Sequence, residues 1–202
     1  MNSIQIIETG LANIASMEAA ISRLGLSSER TRDPDVVVSA NRVVLPGVGS
    51  FGAAMPFLNQ SGLAASLKDR IDEGKPTLAI CLGMQLLAEE SEEAAGVKGL
   101  GCIEGKVIQL PKEKQVPQLG WNVVTASPDS LFLESGYAYF ANSFCLPTPP
   151  SGWDCAETTY GIPMVSAMER GDVLACQFHP ELSGQWGSAL LSRWAKGGST
   201  RC

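Results

Sequence analysis

Histidine is almost missing from this chain of 202 residues: His179 is the only one. A zinc site draws on several histidines and cysteines at short spacing, and none of the six cysteines (Cys81, Cys102, Cys145, Cys155, Cys176 and Cys202) forms a Cys-x-x-Cys pair. No metal and no cofactor are therefore expected. A chain this long needs no disulfide framework, so the thiols read as reduced and the location as cytoplasmic. Positive charge is also short, with 15 Lys and Arg against 21 Asp and Glu and no basic cluster. That excludes the basic face of a nucleic-acid binder. No apolar run approaches the ~20 residues of a membrane span. Met1–Glu8 lacks the basic start and long apolar core of a signal peptide. Internal repeats and low-complexity segments are absent.

The length suits one domain, residues 1–202, with one sizeable core. Ser3–Glu8 reads as a first strand running into a loop at Thr9-Gly10. Asn13–Leu24 carries a helical stripe of Ile14, Met17, Ile21 and Leu24, with Asn13 as its cap and Gly25 as its stop. Arg42–Leu45 is a strand that breaks at Pro46-Gly47, and Leu63–Ile71 is a helix. Thr77–Ile80 is a buried strand, followed by a helix over Gly83–Glu90. This alternation predicts a mainly parallel central sheet covered on both faces, an α/β/α arrangement of three layers. The second half gives successive strands instead: Gly105–Leu110, Asn122–Thr125, Tyr137–Phe144, Asp154–Tyr160, Pro163–Ala167 and Val173–Phe178, some of them antiparallel. Pro147–Gly152 is a surface loop, and Gly184–Ala195 a final helix with Trp186, Leu190, Leu191 and Trp194 on its apolar side.

Cys81 follows an apolar strand and precedes a helix, with Ala79 two before it and Gly83 two after. That is the thiol form of a nucleophile elbow, in which a sharp turn exposes the nucleophile at the start of a helix whose positive end favours thiolate. The Leu82 backbone N–H is placed to donate to a developing oxyanion. Taken alone, Cys81 is more readily a small buried hydrophobe. A thiol needs a base, and the base needs an orienter. His179 follows an apolar strand in Gln177-Phe178-His179-Pro180-Glu181, and period-two geometry puts Glu181 on its side. A lone histidine is usually structural and a loop carboxylate usually solvated, but neither reading explains why the two flank a proline directly after a strand. Together the three residues point to a cysteine-dependent amide hydrolase.

Leu45-Pro46-Gly47-Val48-Gly49-Ser50-Phe51-Gly52 contains a formal G-x-G-x-x-G after a strand. As a dinucleotide fingerprint it fails: Pro46 sits in the turn, and no acidic residue ends a second strand at the right distance. The better reading is backbone that approaches a substrate closely and completes an oxyanion hole with Leu82, with a plain tight turn as the alternative.

These segments, with Gly120-Trp121-Asn122, Tyr139-Phe140 and Ser143, resemble the class I (triad) glutamine amidotransferases. Within that family the chain is similar to the glutaminase subunits that serve a (β/α)8 cyclase of histidine biosynthesis. The resemblance implies hydrolysis of glutamine to glutamate and ammonia, with Cys81 as nucleophile and His179 and Glu181 completing the triad. It implies that Gly47, Val48, Gly49 and Leu82 form the oxyanion site, and that Gln85, Glu93 and the backbone of Ser143 and Phe144 hold the glutamine. It further implies a heterodimer with the cyclase. Trp121, Asn122, Tyr137 and Tyr139 are the candidate interface, since a mouth for ammonia must lie beside the nucleophile; sheet packing is their alternative role. The family more often has D-Y-G-x-G-N where Glu8–Asn13 stands here, and histidine where Gln118 and Asn142 stand. These departures leave open a paralogous subunit feeding another acceptor, such as a sugar-modifying synthase. A stand-alone thiol hydrolase and a regulatory subunit with a dead site are the further alternatives.

Overall fold

Short apolar segments that read as doubly buried strands build the centre of the sheet, in a computed structural model that describes residues 3–9 and 14–197. The elements run β1 (Ile4–Ile7), α1 (Ile14–Arg23), β2 (Ser28–Thr31), α2 (Pro34–Ser39), β3 (Val43–Leu45), α3 (Phe51–Gln60), α4 (Leu63–Asp72), β4 (Thr77–Ile80) and α5 (Leu82–Gln85). Then come β5 (Glu90–Ser91), β6 (Lys106–Gln109), β7 (Gln118–Ala126), β8 (Gly136–Asn142), β9 (Phe144–Cys145), β10 (Asp154–Tyr160), β11 (Ile162–Arg170), β12 (Val173–Cys176) and α6 (Gly184–Lys196). A nine-stranded sheet is ordered β2-β1-β3-β4-β12-β11-β10-β7-β8. Its strands are parallel from β2 to β12 and antiparallel from there to β8. A small sheet, β5-β6-β9, lies apart.

Alternation along the central strands feeds two cores. Val43, Leu45, Ala79, Val173 and Ala175 pack with residues of α2, α3 and α4, while Val44, Leu78, Ile80, Leu174 and Cys176 pack with α1 and α6. The layers are therefore helix, sheet, helix, as the run of short apolar strands implied. Each large side chain fully buried this way contributes about 1.5–3 kcal/mol. Among the described residues no helix is long and apolar enough to cross a membrane.

Several boundaries differ from the sequence reading, each for a physical reason. The helix expected over Gly83–Glu90 is the single turn α5. The carbonyls of Leu86, Leu87, Ala88 and Glu89, which a longer helix would use internally, accept instead from Leu100, Cys102, Ile103, Gly101 and Gly99. Gly99 permits that approach, because a Cβ there would collide with the Ala88 carbonyl oxygen. The strand expected over Val173–Phe178 ends at Cys176, so Gln177, Phe178 and His179 lie beyond it. The strand expected over Tyr137–Phe144 divides at Ser143 into β8 and β9. Strand β2 was not anticipated because it is a polar edge strand with one buried residue, Thr31. The cap assigned to Asn13 and the loop at Gly10 lie outside the described residues, as does Cys202; the Gly25 stop is as expected, with a φ of 74°.

Candidate active site

Cys81 sits between β4 and α5 with φ 53° and ψ −111°, the one positive-φ residue other than glycine among those described. Such a conformation costs of order 1–3 kcal/mol and persists only where its surroundings impose it. They do so through backbone. The Cys81 N–H donates to the Cys176 carbonyl at 2.7 Å, fastening the turn to β12. Gly83 lies so close to β3 that a Cβ would overlap the Leu45 carbonyl oxygen, and a Cβ on Gly47 would overlap the Gly83 nitrogen. The glycine loop is thus the surface against which the elbow is folded.

From the other side, the His179 N–H donates to the Tyr139 carbonyl at 2.9 Å. The Ser183 hydroxyl accepts from the Tyr139 N–H at 2.9 Å and donates to the His179 carbonyl at 2.7 Å. Strand β8 and the start of α6 thereby fix the histidine. Glu181 Oε1 is 2.8 Å from His179 Nδ1, both side chains nearly inaccessible. The pairing does not come from strand alternation, because Pro180–Leu182 is a turn of 3-10 helix; that turn swings the carboxylate back under the ring. Burial pulls the His179 imidazole toward neutrality, but its hydrogen bonds to Cys81 and Glu181, with their charges, outweigh this and raise its pKa from 6.5 to about 10.

The sign follows. The imidazolium is a stabilising partner fully present below pH 6.5 and lost as pH rises through about 10. If this imidazolium protonates the leaving group, the rate falls on the alkaline side near pH 10. Glu181→Gln removes one of the groups that raise the value, so the alkaline limb moves down. The rate at pH 9 is expected to drop by about tenfold or more relative to wild type, read from kcat/KM against pH.

A cavity of about 190 Å³ opens beside the sulfur, lined by Val48, Gly49, Cys81, Leu82, Gln85, Glu93, Ala141, Asn142, Ser143 and Phe144. Of the oxyanion and substrate residues expected from the sequence, only Gly47 lies off this wall. It borders a neighbouring cavity with Pro46, His179 and Glu181. Glu93 accepts from the Phe51 N–H at 2.7 Å. That carboxylate occupies the N-terminus of α3, which a bound phosphate would need, and so removes the remaining dinucleotide reading. The expected oxyanion donor is engaged: the Leu82 N–H points to the Gly47 carbonyl at 3.4 Å.

Of the expected interface residues, Trp121 and Tyr137 are 57% and 63% exposed. Tyr139 stacks edge-on against Trp121 at 6.2 Å. Asn122 is committed within the sheet instead, its amide donating to the Thr159 carbonyl at 3.0 Å and accepting from the Val123 N–H at 2.8 Å. The sequence reading missed Leu119 and Val123, which alternate with Trp121 along β7 and are likewise exposed, and Leu182. Outward apolar alternation in one strand was the available signal.

A thiol at a strained strand-to-helix corner, a buried imidazole held by a carboxylate and hydrogen-bonded to that thiol, and a cavity beside the sulfur define a cysteine-dependent amide hydrolase of the doubly wound α/β kind. The chain belongs to the family described as glutamine amidotransferase class-I, which it matches over residues 6–195. It is 41% identical over 196 residues to the imidazole glycerol phosphate synthase subunit HisH of Methanothermobacter thermautotrophicus, covering 96% of this chain and 98% of that one. It is also 37% identical over 198 residues to the chloroplastic imidazole glycerol phosphate synthase hisHF of Arabidopsis thaliana, where the match covers 95% of this chain but 33% of that longer protein. A solved glutamine amidotransferase superposes with a TM-score of 0.77 at 19% identity, over 98% of this chain and 99% of that one, which bears on the fold alone.

Proposed function

We propose that the chain, working as one domain, is the glutaminase subunit of an imidazole glycerol phosphate synthase, a cytoplasmic heterodimer with a (β/α)8 cyclase that uses the ammonia in histidine biosynthesis. The observation that carries the hydrolytic part is that Cys81 and His179, from distant parts of the chain, meet through a side-chain hydrogen bond with Glu181 holding the ring, the sulfur opening on one cavity and the imidazole on the neighbouring one. In this reading the Cys81 thiolate attacks the side-chain amide carbon of glutamine. The His179 imidazolium gives its proton to the departing nitrogen, and ammonia leaves. Water then attacks the glutamyl thioester, His179 takes its proton, and glutamate and the thiol are released. Gln85 and Glu93 supply acceptors for the substrate ammonium.

The engaged Leu82 N–H gives this reading a reason for dependence on a partner. Turning the Gly47–Val48 peptide would withdraw the Gly47 carbonyl and bring the Val48 N–H toward the same spot, adding a second oxyanion donor. The apolar face of β7 and β8 supports the docking side. Leu119 pairs with Ala141 and Trp121 with Tyr139, so the exposed row runs into the cavity wall at Ala141. Five free cysteines among the described residues agree with a reducing compartment. The test is glutamate release by the purified chain titrated with the cyclase. Expected is a rise that saturates at equal amounts of the two proteins, with glutamine-dependent turnover of the cyclase. Brisk hydrolysis indifferent to the cyclase would favour a stand-alone hydrolase and overturn the assignment.

A further inference from the structure

Gln177 lies between β12 and His179, is wholly buried, and has no part in the chemistry above. Its side chain is one link in a chain of amides. The Phe144 carbonyl can only accept, so Gln85 must present its Nε2 there, at 2.9 Å. The other hydrogen of that amide goes to Gln177 Oε1, also at 2.9 Å. Gln177 is then left with its Nε2 toward Cys81 Sγ, at 3.7 Å. One carbonyl that cannot donate therefore fixes the direction of every link. At the cavity end, Gln85 has committed both its hydrogens and offers Oε1, an acceptor. At the other end the sulfur receives a donor. A neutral thiol can give its proton to the Ala141 carbonyl at 3.8 Å. A thiolate cannot, and Gln177 is the neutral donor that holds it.

We propose that Gln177 is a positioning residue for the nucleophile: it holds Cys81 Sγ through Nε2 and, through Gln85, ties the sulfur to the part of the cavity that receives the substrate ammonium. The link to substrate rests on the glutaminase reading; the contact with sulfur does not. An ammonium on Gln85 Oε1 makes its Nε2–H a stronger donor, and Gln177, polarised in turn, a stronger donor to sulfur. Filling the amino-acid end of the cavity thus prepares the nucleophile at the other. The titratable groups around the sulfur are His179, with Glu181 behind it, Cys176 on β12 and Glu93 across the cavity.

The test is the rate of Cys81 alkylation by iodoacetamide against pH, followed on the Cys81 peptide by mass spectrometry. Gln177→Met keeps the length of the side chain without its polar atoms. Gln177→Leu is measured beside it, and thermal melting establishes which variants are folded. Expected is alkylation about tenfold slower at neutral pH, with the rate–pH curve displaced upward, and kcat for glutamine falling more than KM rises. A folded variant that alkylates along the wild-type curve overturns the inference, since a purely structural role would leave that curve in place. A displaced curve in a protein whose wild type releases no glutamate with the cyclase would instead overturn the glutaminase reading.

Discussion

Cys81→Ala is expected to lower glutamate release by at least about 10⁴-fold in the presence of the cyclase, leaving ammonia-driven turnover of the cyclase intact. No other described thiol can replace it. Cys102, Cys145 and Cys176 are buried, Cys155 is half-buried, and burial pushes the first, second and fourth to about 11, about 12 and about 11, and Cys176 well above the usual range. The thiol hydrogen-bonded to the His179 imidazole is that of Cys81. The variant should also melt close to the wild type, because alanine at a strained, positive-φ position loses a thiol but no packing of consequence. Glutamate release and cyclase turnover with ammonium salt, measured on the same preparation, separate loss of the nucleophile from loss of the complex.

Gly83→Ala should have the largest effect on the fold near the site. The added methyl would overlap the Leu45 carbonyl oxygen, a backbone atom of a central strand, and approach Leu45 Cγ at 3.3 Å. Overpacking of this kind costs typically 1–3 kcal/mol and more where backbone must move, which lowers Tm by about 2–4 °C per kcal/mol in a chain of this size. The elbow cannot yield without carrying Cys81 away from His179, and a displacement of about 1 Å costs on the order of 100-fold in rate. Both losses are expected together, measured by thermal melting and glutamate release. Gly47→Ala, whose Cβ would also meet Leu82 Cβ at 2.6 Å, should act in the same sense. Serine at either position would fare no better, since the obstacle is Cβ itself.

Much of this was legible in the sequence where apolar spacing is decisive. Thr77–Ile80 and the strand before Gln177 read as buried because all four residues of each strand are apolar or small, and those strands lie side by side, with Ala79 opposite Ala175. The three residues of the candidate triad were legible by residue type and position, and His179 also as the single histidine. Their geometry was not: Glu181 reaches His179 through a 3-10 turn that no alternation pattern encodes. Helix α5 stops after one turn because residues 99–103, far from it in the sequence, take its successors' carbonyls. The amide chain through Gln85 and Gln177 was invisible for the same reason, since 92 residues separate its two members. The engagement of the Leu82 N–H was also unreadable, because a peptide's orientation leaves no mark on composition.

The most direct measurement is labelling with a glutamine analogue that carries a diazo ketone in place of the side-chain amide, with the modified peptide identified by mass spectrometry. One adduct is expected, on Cys81, with glutamine protecting against it and His179→Ala slowing its formation. Attachment to any other residue, or glutamine hydrolysis that continues at the full rate once Cys81 is blocked, would contradict a thiol mechanism at this cavity.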